Sequence, residues 1–115
     1  MRFDVLTLFP EIFPSYLGQS LLAKAIDRGL VQVELHNIRD WSQDKKHHKI
    51  DDRPYGGGPG MVMMVEPVVN CVEEVQKQVK EAGRLILFTP QGERLKQEKV
   101  ESLAREERLL LLCGR

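Results

Sequence analysis

Two short runs with no polar residue in them, Leu85-Ile86-Leu87-Phe88 and Leu109-Leu110-Leu111-Leu112-Cys113, set the tightest limits on how this chain can fold. A strand that is apolar at every position must be covered on both faces, which is the habit of parallel sheets layered with helices. Between the two runs lies one helix's length of mixed chain, about Lys96 to Glu106, in which Val100, Leu103 and Ala104 fall on one side and are expected to face inward. Parallel neighbours need a crossover of that kind, whereas antiparallel ones can be joined by a tight turn. Strands at 84–88 and 108–113 are therefore expected to run parallel in one sheet.

The remainder of the chain extends the alternation. Residues 2–8 suit a pleated surface, and Pro10 and Pro14 break the chain after them. Leu17, Leu21, Leu22, Ala25 and Ile26 then recur at helical spacing, and Gly29 stands where a left-handed C-terminal cap belongs. Val31, Val33 and Leu35 alternate with Gln32, Glu34 and His36, which predicts a strand with one wet face. Pro67 suits the first turn of a helix whose stripe is Val68, Val72, Val75 and Val79, with Gly83 ending it. The order is β-α-β-loop-α-β-α-β. It predicts an α/β protein: a mainly parallel sheet, holding 2–8, 31–37, 84–88 and 108–113, with helices on both faces.

Length and charge narrow the function classes. A chain of 115 residues has room for one small core. Seventeen basic residues against seventeen acidic ones do not describe a strongly basic nucleic-acid binder, so RNA contact would have to come from local geometry. No apolar run approaches the ~20 residues that span a bilayer, and Asp4 stands where a secretory signal would continue apolar. No membrane partner and a cytoplasmic location are expected. Cys71 and Cys113 form no Cys-x-x-Cys pair and read as reduced core thiols.

Ligands of open α/β sheets bind beyond the carboxyl ends of the strands. Two such ends are legible, Phe88-Thr89-Pro90-Gln91-Gly92 and Cys113-Gly114-Arg115. Each turns through glycine or proline directly after an apolar strand, leaving backbone groups free to bind an adenine or ribose. The pattern is shared by many β-to-α turns. More distinctive is Asp51-Asp52-Arg53-Pro54-Tyr55-Gly56-Gly57-Gly58-Pro59-Gly60-Met61, inside a long irregular segment from Ile38 to Gly60. It lacks the Gly-Lys-Ser/Thr of a phosphate loop, and Met61 replaces the last glycine of the dinucleotide motif. Two readings stand: a turn that brings backbones close, or a surface for a flat base with carboxylates accepting from a guanine edge. The basic run Asp44-Lys45-Lys46-His47-His48-Lys49 reads as a solvated loop or a phosphate contact; its adjacent histidines lack metal-site spacing. Trp41 reads as an anchor for the loop, and Met61, Met63 and Met64 as plugs beneath it.

These segments together resemble the bacterial tRNA (guanine-N1)-methyltransferases of the SPOUT superfamily. The resemblance rests on Thr7-Leu8-Phe9-Pro10-Glu11-Ile12-Phe13, the run from Asp51 to Met61, the turn Thr89-Pro90-Gln91-Gly92 and the ending Cys113-Gly114-Arg115, in that order. It covers the whole chain and about the first half of the family's usual length. It implies methyl transfer from S-adenosylmethionine to N1 of the guanosine 3′ to the tRNA anticodon, an α/β trefoil-knot domain, a homodimer, and assistance by magnesium. Leu87, Phe88, Thr89, Pro90 and Gly114 would bind the cofactor, and Asp51, Arg53, Gly56, Gly57, Gly58, Pro59 and Gly60 would meet the tRNA. The family's general base, an aspartate, and its helping arginine belong to the second half, so no catalytic residue is expected here. Residues 1–115 are then the amino-terminal part of the methyltransferase domain, stopping before the knot is complete, with the carboxy-terminal tRNA-binding domain absent.

Two other readings compete. A non-catalytic RNA-binding module would bind RNA without S-adenosylmethionine, and near-zero net charge argues against it. A small nucleotide-binding α/β protein would use the glycine run as a phosphate nest, and the missing lysine argues against that.

Overall fold

The computed structural model describes residues 1–42, 51–52, 62–63 and 65–114, the two short middle segments as backbone. Four strands, β1 (Arg2–Thr7), β2 (Gln32–Asn37), β5 (Arg84–Phe88) and β6 (Arg108–Cys113), form one sheet in the order β2-β1-β6-β5. Every pairing in it is parallel. The expected sheet and the parallel pairing of 84–88 with 108–113 are thus both present. A second, two-stranded sheet pairs β3 (Asp51–Asp52) with β4 (Val62–Met63) antiparallel.

The pairing register assigns the faces. Asp4, Leu6, Leu110 and Leu112 share one side, and Phe3, Val5, Leu109 and Leu111 the other. Helix α3 (Val65–Lys77) covers the first side: Cys71 and Val75 are buried with Leu6, Leu8, Ile38 and Leu110, and Val68, Val72 and Trp41 pack against them. Val68, Val72 and Val75 are therefore on the core face of α3, while Val79 falls beyond its end, and Trp41 packs against the same core. Helix α4 (Gln97–Leu103) lies over the other side, where Val100, Leu103 and Ala104 line a cavity of about 710 Å3 with Phe3, Leu109 and Leu111. Helices do stand on both faces.

Several expectations need correction. The first helix is two, α1 (Phe13–Leu17) and α2 (Ser20–Asp27), broken at Gly18-Gln19. Ser20 takes φ 53° at the restart, and Leu21, expected on the buried stripe, is 77% exposed. The C-terminal cap is as expected: Gly29 has φ 73°, Leu30 N–H donates to Ala25 O and Gly29 N–H to Ile26 O, the two bonds of a Schellman cap. Gly83 does not end α3, which stops at Lys77. It sits where the chain enters β5 so close to β6 that a Cβ would collide with the Leu110 side chain. Ile38, placed at the start of an irregular segment, is fully buried and opens a 3-10 turn, Ile38–Trp41. β6 lies between β1 and β5 with Leu109 and Leu110 buried, and the apolar exposure falls on edge strand β5, at Leu85, Leu87 and Phe88. A strand's sequence does not say which neighbours flank it, so an apolar run cannot tell centre from edge.

Candidate cofactor and RNA site

Parallel strands deliver all four of their carboxyl ends to one edge. Phe88 pairs with Cys113, so the turn beginning at Thr89 and the backbone of Gly114 leave adjacent strands side by side. This is how two stretches far apart in sequence come together. The Thr89 turn is tight: Gly92 N–H donates to Thr89 O at 3.1 Å and Gln91 N–H to Thr89 Oγ1 at 3.3 Å. A side chain built on Gly114 would meet nothing within 4 Å, which leaves open space beside its backbone. Leu87 and Phe88 are more than half exposed at the same edge, and the cavity under α4 reaches Phe88, Thr89 and Gly92. Apolar walls, a tight turn and open space at Gly114 fit the adenosine end of a cofactor, which needs flat apolar contact and backbone hydrogen bonds.

The expected RNA-facing residues are only partly within reach. The backbone of Asp51 pairs with Met63, and Asp52 with Val62, so the two ends of the glycine-rich stretch are held next to each other. Arg53, Gly56, Gly57, Gly58, Pro59 and Gly60 lie outside the described residues, as do the Lys45–His48 run, Met61 and Met64. Among the described residues, no group of three or more His, Cys, Asp or Glu could hold a metal ion. Nor is any helix among them long and apolar enough to cross a membrane. Both cysteines are free; burial pushes the Cys71 thiol up to about 12, with the Asp40 carboxylate adding, and burial also raises Cys113. Neither is suited to act as a thiolate at neutral pH.

Sequence reasoning missed a charge cluster nearer the amino ends of the strands. Asp4 is fully buried, and its two oxygens accept from Arg2 Nη2 and Nε at 3.0 Å and from Arg108 Nε at 2.8 Å. His36 Nε2 lies 2.8 Å from Asp4 Oδ1, so the supposed wet face of β2 turns a histidine inward. The remaining Arg108 nitrogens donate to Val75 O at 2.6 Å, Gln76 O at 3.2 Å and Glu81 O at 2.8 Å, capping the C-terminal end of α3. Gln76 in turn exchanges two hydrogen bonds with the Gly83 backbone. Burial would push the Asp4 carboxyl up, but the bonds from Arg2, His36 and Arg108 outweigh it and hold it below the usual carboxylate range. The signal was present as charged residues inside apolar strands, Asp4 in one and Arg108 opening another. A buried charge needs a partner, but the sequence alone did not say that these two were each other's.

A parallel α/β sheet that sets the Thr89–Gly92 turn next to Gly114 at its carboxyl edge has the layout of α/β domains that bind ligands outside the carboxyl ends of their strands. A family model described as tRNA (Guanine-1)-methyltransferase TrmD matches residues 1–115, and the chain belongs to that family. The tRNA (guanine-N(1)-)-methyltransferase of Rhodopirellula baltica is 58% identical over 115 residues, which are 100% of this chain and 48% of that protein. That of Bacillus subtilis is 50% identical over 114 residues, 99% of this chain and 46% of its own length. The crystal structure of tRNA (m1G37) methyltransferase from Aquifex aeolicus superimposes with a TM-score of 0.90 at 35% identity, over 100% of this chain and 51% of that one. The chain thus spans about half the length of the relatives it matches.

Proposed function

We propose that this chain is the amino-terminal part of the methyltransferase domain of a cytoplasmic, homodimeric enzyme that methylates N1 of the guanosine 3′ to the tRNA anticodon, using S-adenosylmethionine. The observation that carries the reading is the Phe88–Cys113 register, which brings the Thr89 turn and Gly114 to neighbouring strands at the carboxyl edge of the sheet. In this reading Leu87, Phe88, Thr89 and Pro90 wall the adenosine pocket, and Gly114 offers its backbone from the neighbouring strand. Asp51, Arg53 and the stretch from Gly56 to Gly60 meet the tRNA. The rest of the longer protein supplies the knot-completing segment, the general base and the tRNA-gripping domain.

The bound cofactor supplies an electrophilic methyl on a sulfonium. Held there, it would give its methyl to N1, the sulfur keeping the electron pair of the broken S–CH3 bond. The N1 proton must leave to a base at the same time, because guanine N1 is protonated at neutral pH. The residues of this chain would contribute holding rather than proton transfer, with Leu87, Phe88, Thr89, Pro90 and Gly114 fixing the nucleoside end. Magnesium, implied by the family resemblance, finds no cluster of three His, Cys, Asp or Glu side chains to hold it among the described residues.

The test follows labelled methyl transfer to unmodified tRNA by residues 1–115 beside the full-length enzyme. The fragment is expected to transfer none, since loss of a positioned base alone costs ~10²–10⁴ in rate. Robust turnover by the fragment would overturn the assignment of the base to the other half.

A further inference from the structure

The loops beyond β1 and β2 reach the same edge as the cofactor turns, and they carry a feature the reading above does not use. Phe9 follows β1 and remains 44% exposed, with the Arg39 guanidinium carbon 5.9 Å from its ring centroid. It is the only cation–aromatic pair among the described residues. Neither partner is loosely held. Phe9 N–H donates to the buried Thr7 hydroxyl at 3.1 Å, and Phe9 O accepts from Ile12 N–H at 3.3 Å across a turn that starts at Pro10. Arg39 N–H donates to Asn37 Oδ1 at 3.0 Å, in the turn that follows β2. An aromatic ring left nearly half in water, yet fixed through its backbone and backed by a cation, is preorganised for contact with something flat.

Strand order says what that is. Across the edge the strand order is β2, β1, β6 and β5, and past their carboxyl ends come Arg39, Phe9, Gly114 and Thr89 in turn. Neighbouring strands are ~4.8 Å apart, and β1, which leads to Phe9, is next to β6 and two strands from β5. A methyl acceptor must come within ~3–3.5 Å of the methyl group, which puts the substrate RNA across this part of the edge. Glu11 and Asp40 flank the pair and are exposed. Their charge disfavours a broad phosphate-binding patch and suits one base with one phosphate. Resting on the proposed methyltransferase reading, we infer that Phe9, backed by Arg39, is a stacking platform for a nucleobase of the substrate RNA, with Arg39 serving the adjoining phosphate.

The experiment uses the full-length enzyme with Phe9→Leu, Phe9→Trp and Arg39→Gln. It measures tRNA affinity and KM, S-adenosylhomocysteine affinity by calorimetry, thermal unfolding and oligomeric state. Phe9→Leu keeps apolar bulk but removes the π-face, and should weaken tRNA binding roughly 5- to 100-fold, the range expected for losing one stacked base. Phe9→Trp should restore it. Arg39→Gln should lower the salt dependence of tRNA binding by about one phosphate. Cofactor-product affinity, unfolding temperature and assembly should stay at parent values throughout. A Phe9→Leu enzyme within twofold of the parent for tRNA overturns the platform, and so does a loss that tracks dissociation of the assembly, which would make Phe9 a subunit contact. A parent enzyme that neither binds S-adenosylhomocysteine nor methylates tRNA would instead remove the reading on which the platform rests.

Discussion

Replacing Asp4 with alanine strands a cation in the core. The Arg108 side chain is 1% exposed and that of Asp4 is 0%, and Arg108 keeps only three neutral carbonyl acceptors once the carboxylate is gone. Breaking a buried pair from one side typically costs ~3–5 kcal/mol. Arg2 and His36, at 18% and 10% side-chain exposure, can turn toward water and add little. The expected loss is about 3–4 kcal/mol, a large part of the ~5–15 kcal/mol that holds a domain together. Asp4→Ala combined with Arg108→Met should lose less than the sum of the two single changes, by roughly 0.5–3 kcal/mol, because the second substitution removes the stranded charge. Urea unfolding followed by circular dichroism gives both numbers. The pH dependence has a fixed sign. The folded Asp4 carboxyl lies below its unfolded value, so its contribution is complete above the unfolded pKa of ~3.9 and is lost as pH falls through the folded value. The parent should therefore lose more stability on acidification below about pH 4 than the Asp4→Ala protein does. A single-variant loss under about 1 kcal/mol, or simple additivity in the double variant, would refute the buried-pair argument.

Two further outcomes follow from the same structure. Gly83→Ala should destabilise by roughly 1–3 kcal/mol, since the added Cβ runs into Leu110 and crowds Arg108, and a thermal melt that matches the parent would show that the Gly83 approach is not close. In the full-length enzyme Asp51→Ala should weaken tRNA methylation while shifting unfolding little; a large stability loss with activity intact would contradict an RNA-facing role.

Sequence by itself determined the parallel sheet. The two uninterrupted apolar strands and the helix between them admit few other arrangements, and the Gly29 cap and the α3 valine stripe follow from backbone sterics and a 3.6-residue period that any local reading can detect. The motifs that mark the family are likewise local strings. Only the tertiary structure decided which strand lies inside the sheet and which at its edge, because pairing order is a long-range property. The same holds for the charge cluster. Asp4 and Arg108 are 104 residues apart in the chain and 2.8 Å apart in space, and nothing local to either residue names its partner. The Thr89 turn and Gly114 came to one edge for the same reason: a parallel sheet gathers its carboxyl ends whatever the distance along the chain.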